Sequence, residues 1–139
     1  TNGTRALARA KHAAAVAVGS FVNADRAARF LSEGIAEGEP ATVLCAGWTG
    51  RVSLEDTLAA GLLVSRVIPA SEAPALSDPA KMAYAIYQGS RDDLLRAVHG
   101  TDHARRLHAL GYGSDIDLCC TIDTLDVLPV LRDGRITAG

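Results

Sequence analysis

The sequence predicts an α/β fold: a three-layer α/β/α arrangement with a largely parallel sheet and a C-terminal β-hairpin. Three observations predict it. Short apolar runs alternate with helical periodicity along the chain. Glycine-bearing loops recur where an apolar run passes into a helical one. Asp133–Gly134, between two short apolar runs, is a two-residue hairpin signal. With 139 residues, the span 1–139 is read as a single domain able to bury a real core.

Thr1–Asn2–Gly3–Thr4 feeds a helix with no strand before it, so the chain is expected to be the C-terminal part of a longer one. Ala14–Val18 is a short buried strand, and Gly19–Asn23 leads from it to a helix over Ala24–Ser32 capped by Asn23. Gly34 to Pro40 is turn-rich and returns the chain to a strand, Thr42–Ala46. The loop Gly47–Val52 opens a helix over Leu54–Arg66, apolar or glycine on every face from Leu58 to Val64 and therefore buried all round. After the linker-like Pro69–Asp78, Asp78–Pro79 starts another helix by the cap-then-proline rule. Arg91–Val98 and His103–Leu110 read as two more, broken at Gly100 and Gly111. Ile116–Cys120 has the length and character of a strand; Val127–Leu131 and Arg135–Thr137 are the hairpin arms, with Pro129 favouring an edge.

Composition narrows the function. A net charge of −2 gives no basic face for nucleic acid or an anionic membrane. The longest apolar runs, Ala13–Val18 and Leu58–Val64, are far too short to span a bilayer. Three cysteines, two of them adjacent, do not form a disulfide framework, so a cytoplasmic location is expected.

The loops Thr1–Thr4, Gly19–Asn23 and Gly47–Arg51 would all leave the carboxyl edge of a parallel sheet, the usual ligand edge. Glycine lets the backbone approach an anion, and helix starts offer free N–H groups and partial positive charge. Thr1, Asn2, Gly3, Thr4, Arg5, Gly19, Ser20, Asn23, Gly47, Gly50 and Arg51 are therefore the candidate phosphate- or carboxylate-binding residues. None of these loops is a Walker A loop.

Three readings compete for Cys45–Asp56. Ser53–Leu54–Glu55–Asp56 has the form of a capping box, in which Asp56 completes the cap and both carboxylates complement the helix dipole. Adjacent helical residues diverge by about 100°, so Glu55 and Asp56 cannot both serve the cap. A carboxylate beside a bound phosphate calls for a cation between them, and Mg²⁺ does this with one or two carboxylates, waters and substrate oxygens. Asp56 and Glu55 are thus the candidate metal ligands and catalytic residues. Third, Cys45 and Arg51 match the C-x5-R spacing of thiolate phosphatases, although the acidic pair opposes a thiolate. His99 and His103 lie four apart without a third ligand, and Trp48 reads equally as a lid or a packing residue.

TNGTRA, GSFVN and CAGWTGRVSLEDTLAAG, in that order, resemble sequence blocks of the 2-phosphosulfolactate phosphatase family. Gly111–Tyr112 with Asp115–Ile116, and the Val-Leu-Pro segment before Asp133–Gly134, resemble its tail. The resemblance implies an α/β, Mg²⁺-dependent phosphatase that converts 2-phosphosulfolactate to sulfolactate and phosphate in coenzyme M biosynthesis. It also implies that TNGT belongs to the middle of the family's chain. The expected partners are a small phosphorylated acid and either an N-terminal fragment of the same gene product or further copies of the chain. A non-catalytic anion-binding or oligomerisation domain is the alternative from another class.

Overall fold

The computed structural model describes residues 1–139, the side chains of residues 73 and 74 excepted. The helices are α1 (Asn2–Ala10), α2 (Ala24–Ala36), α3 (Leu54–Val67), α4 (Asp78–Ser90), α5 (Leu94–His99), α6 (Asp102–Ala109) and α7 (Gly113–Cys119). They are followed by the antiparallel pair β1 (Pro129–Arg132) and β2 (Arg135–Ala138).

Helix α3 is the axis on which the others pack. Its apolar run buries Leu58, Ala60, Gly61, Leu62 and Leu63, as an all-apolar helix must. A Cβ on Gly61 would overlap the Ala83 carbonyl oxygen and the Tyr87 Cβ of α4. Glycine there lets the two backbones approach more closely than side chains permit. On the other side α2 contributes Ala24, Ala27 and Ala28, small residues that keep that contact short. A Cβ on Gly19 would lie 3.0 Å from the Ala27 Cβ and 3.3 Å from a Leu63 methyl, so the loop before α2 is also pressed against α3.

The segment before the hairpin is pinned across this layer. The Arg66 guanidinium donates to both Asp123 oxygens, at 3.0 and 2.6 Å, and the Asp25 N–H donates to Asp123 Oδ1 at 2.6 Å. This paired fork on a carboxylate fixes direction as well as distance. It also places the Asp123 carboxyl pKa below the ordinary value, chiefly through the Arg66 hydrogen bonds.

Asp133 and Gly134, with φ of 50° and 74°, make the expected hairpin turn. Ile116–Cys120 is not a strand: residues through Cys119 form helix α7, with Ile116 buried and Leu118 66% exposed. One inward residue per turn meets the core, and the flanking Asp115 and Asp117 stay outside, which is helical rather than alternating spacing.

The paired strands of the described residues are antiparallel. Residues 14–18 run beside β1 in the antiparallel sense: Val18 N–H donates to the Pro129 carbonyl at 2.8 Å, and Leu131 N–H to the Val16 carbonyl at 2.9 Å. Residues 41–46 belong to no helix or strand and make no backbone hydrogen bond among the described residues, and leave Val43 and Leu44 38% and 45% exposed. No described helix is long and apolar enough to cross a membrane.

Gly61→Ala should therefore cost about 1–3 kcal/mol or more in chemical denaturation, because backbone rather than a flexible side chain must give way. A cost within about 0.5 kcal/mol would mean that α3 and α4 are not in backbone contact.

Candidate functional site

The site is built where a glycine turn enters α3. Gly47 has φ of 70°, and a Cβ there would lie 2.6 Å from the Arg51 carbonyl oxygen, so both conformation and space require glycine. Trp48 and Arg51 exchange backbone hydrogen bonds of 3.0 and 2.9 Å across a two-residue turn. Its central residues, Thr49 and Gly50, have φ of 51° and 80°, a left-handed pair. The N–H groups of Thr49 and Gly50 have no acceptor among the described residues. Arg51 follows with an exposed side chain that joins no ion pair among the described residues.

Ser53 caps α3: its Oγ accepts the Asp56 N–H at 3.2 Å. A capping box would return the Asp56 carboxylate to the Ser53 N–H. Instead Asp56 Oδ2 accepts the Gly47 N–H at 2.5 Å, so the carboxylate holds the glycine turn against the helix start. Its Oδ1 has no hydrogen-bond partner among the described residues.

Glu55 is held from two directions. Ser53 Oγ donates to its Oε2 at 2.7 Å, and Thr101 Oγ1 donates to its Oε1 at 2.5 Å. Thr101 is the N-cap of α6, and its Oγ1 also accepts the Ala104 N–H at 3.0 Å. Both cap hydroxyls thus accept from their own helix, and each sends its one proton to Glu55. Burial alone would raise the Glu55 pKa. Hydrogen bonds from Thr101, Ser53 and its own backbone N–H, together with nearby His103, outweigh that and hold it below the ordinary value.

His103, in the first turn of α6, completes the cluster. Its Nδ1 lies 3.9 Å from Glu55 Oε1, and its ring stacks on Trp48 with centroids 5.1 Å apart and planes inclined by 20°. Sequence reasoning passed over Thr101 and weighed His103 only as a metal ligand paired with His99. The usable signal was Thr101–Asp102, a cap pattern that starts α6 one residue earlier and sets His103 at its N-terminal end.

Cys45 sits at the surface with Sγ 3.6 Å from the Asp56 carbonyl oxygen. Desolvation by its neighbours, and secondarily the Asp56 carboxylate, raise its pKa, the opposite of what a nucleophilic thiolate needs.

The other candidate loops are placed differently. Asn23 is buried and fully engaged: its Oδ1 accepts from the Ser20 N–H at 2.8 Å and the Ser20 hydroxyl at 3.1 Å. Its Nδ2 donates to the Val18 and Val127 carbonyls, both at 3.1 Å. Gly19 rests on Leu63, two turns along α3 from Glu55, about 12 Å of helix rise. Thr1 is the cap of α1, accepting the Thr4 N–H at 3.3 Å, so Asn2, Gly3, Thr4 and Arg5 are helical rather than loop. No side-chain hydrogen bond or ion pair among the described residues ties Thr1–Arg5 to the glycine turn. Gly47, Gly50, Arg51, Glu55 and Asp56 are thus drawn together around the start of α3. His99 belongs to another group, bonding His108 and Asp117 at 2.8 Å each.

A helix start beside a glycine turn with open N–H groups is an arrangement that receives anions. No group of three or more His, Cys, Asp or Glu able to hold a metal occurs among the described residues. Magnesium is satisfied by a single carboxylate with waters and substrate oxygens. The open Oδ1 of Asp56 fits that role, whereas both Glu55 oxygens are already engaged.

The family model described as 2-phosphosulpholactate phosphatase matches residues 1–134. A probable 2-phosphosulfolactate phosphatase of Caldanaerobacter subterraneus subsp. tengcongensis is 33% identical over 136 residues, covering 98% of this chain and 55% of its own. Another, of Cyanothece sp., is 36% identical over 140 residues, covering 98% and 57%. A third, of Gloeobacter violaceus, is 36% identical over 129 residues, covering 93% and 52%. The chain belongs to the 2-phosphosulfolactate phosphatase family. It spans about half the length of the curated relatives it matches.

Thr101→Val should raise the Glu55 pKa, because one of the two hydroxyl donors to the ionised form is lost. A carboxyl depressed in the folded state contributes stability above its unfolded value, near 4.5, and loses it as pH falls through the lower folded value. The valine variant should therefore lose less stability than the wild type on acidification through that window, while Thr101→Ser behaves as wild type. Carbon-13 titration of the carboxyl checks this, and an unmoved Glu55 in Thr101→Val contradicts it.

Proposed function

We propose that this chain carries part or all of a phosphatase that hydrolyses 2-phosphosulfolactate to sulfolactate and phosphate, a step of coenzyme M biosynthesis. The observation that carries the reading is the Asp56 carboxylate docked on the glycine turn, one oxygen on the Gly47 N–H and the other open, in a chain of this family. Asp56 would hold magnesium, which would supply charge neutralisation for the phosphoryl oxygens. The Thr49 and Gly50 N–H groups and the positive end of α3 orient the phosphoryl group for attack by water. The substrate also carries a sulfonate and a carboxylate; Arg51, and Arg5 if α1 folds against the turn in the assembled protein, are the cations for them.

The sheet belongs to the same proposal. Residues 14–18 and 41–46 are read as strands of a largely parallel sheet in a three-layer α/β/α protein. The backbone at 41–46, unpaired among the described residues, supports this, as does the roughly twofold greater length of the relatives. An N-terminal fragment of the gene product, or further copies of the chain, would complete the sheet. A cytoplasmic location is part of the reading.

Phosphate release from 2-phosphosulfolactate, with magnesium and with EDTA, tests it on three proteins. Asp56→Asn should lose more than about tenfold in turnover, with its metal response, because an amide is a poorer magnesium ligand. Cys45→Ser should keep most activity. Loss in Cys45→Ser with indifference to EDTA would establish the thiolate route. No release by the full-length gene product under any condition, with phosphate still bound, would establish a non-catalytic anion-binding domain.

A further inference from the structure

We infer that His103 is the proton donor to the leaving oxygen of the phosphate ester. The inference rests on the phosphatase reading and assigns a group which that reading leaves open. An alkyl phosphate expels an alkoxide, which leaves slowly unless a proton reaches its oxygen as the phosphorus–oxygen bond breaks. Few groups at the turn can supply one. Glu55 accepts two hydroxyl protons and its carboxyl is held ionised. Asp56 accepts the Gly47 N–H. Cys45 holds its proton too tightly to give it up readily. Arg51 does not release a proton at all in this range.

His103 has the chemistry and the setting. Imidazole is the side chain that both holds and releases a proton near neutral pH. Trp48, the first residue of the turn, stacks on the ring and fixes its plane at the turn itself. Glu55 Oε1 lies 3.9 Å from Nδ1, beyond hydrogen-bond length, so the carboxylate flanks one edge of the ring and leaves the other to the turn. No hydrogen bond or ion pair among the described residues engages Nε2. The side chain is 37% exposed, so the ring is not sealed from a bound ester. The same turn thus carries open N–H groups for the phosphoryl oxygens and a ring for the oxygen that departs.

The balance is complete without an added reactant. Water forms the new bond to phosphorus, the ester phosphorus–oxygen bond breaks, and the Nε2 proton of the imidazolium passes to the departing alcohol oxygen. Phosphate leaves as the dihydrogen ion and returns one proton, through solvent, to His103.

Leaving groups of different basicity read this directly. The full-length gene product and its His103→Gln variant are compared on 2-phosphosulfolactate and on p-nitrophenyl phosphate, whose phenolate departs without a proton. His103→Asn serves as a second variant, and circular dichroism with thermal unfolding verifies that each is folded. The expected result is a loss of about a hundredfold or more in kcat on the alkyl ester, with nitrophenyl ester turnover within about threefold. Equal losses on both esters in a folded variant would overturn the assignment and make His103 a positioning residue. Unchanged turnover on both would also overturn it. A full-length wild-type gene product that hydrolyses neither ester removes the phosphatase reading itself, and the assignment with it.

Discussion

The Glu55 carboxylate, held between two helix caps, is the constraint from which the rest of the site follows. Ser53 and Thr101 are N-caps of α3 and α6, and each has only one hydroxyl proton to give. Because the acceptor side of each hydroxyl is filled by its own helix, that proton points to Glu55. A partly buried carboxylate is costly unless its charge is met. Here it is met by two hydroxyls, with the N-terminal turns of α3 and α6 adding favourable partial charge. The result joins segments 46 positions apart in sequence. It also puts His103 beside the start of α3, where Trp48 can cover its ring.

The neighbouring carboxylate does a different job. Asp56 leaves the cap and holds Gly47, so the glycine turn is fixed to the helix rather than hanging from it. The division follows from helical geometry, since adjacent side chains point about 100° apart. Glu55 faces α6 and Asp56 faces the turn. Behind both, α3 is clamped through Gly61 against α4 and through small residues against α2, so the carboxylates project from a helix that has little freedom to move.

What the sequence revealed and what it hid divide along the range of the interactions. Leu58–Val64 was legible as a helix buried all round because that judgment needs only composition and period. The hairpin was legible because Asp133–Gly134 dictates its own turn locally. Helix α7 was misread because five residues carry too few periods to separate a strand from a helix. Ser-Leu-Glu-Asp gave the cap correctly but not the destination of Asp56, since Gly47 and the Ser53 N–H are equally plausible targets until the turn has a shape. The approach of Thr101 and His103 to Glu55 is long-range, and no spacing in one sequence encodes it. Asn23 shows the converse: its position was marked, but its amide is consumed in holding its own loop to residues 18 and 127.

A double-mutant cycle between Ser53→Ala and Thr101→Val tests the central constraint most directly. Each substitution alone leaves Glu55 one hydroxyl donor; the two together leave it no hydroxyl donor. Urea denaturation of the wild type, the two single variants and the double variant should give a coupling of at least about 0.5–1 kcal/mol, since residues sharing one partner do not act independently. Additivity within about 0.3 kcal/mol would show that the two caps do not meet at Glu55, and would contradict the account.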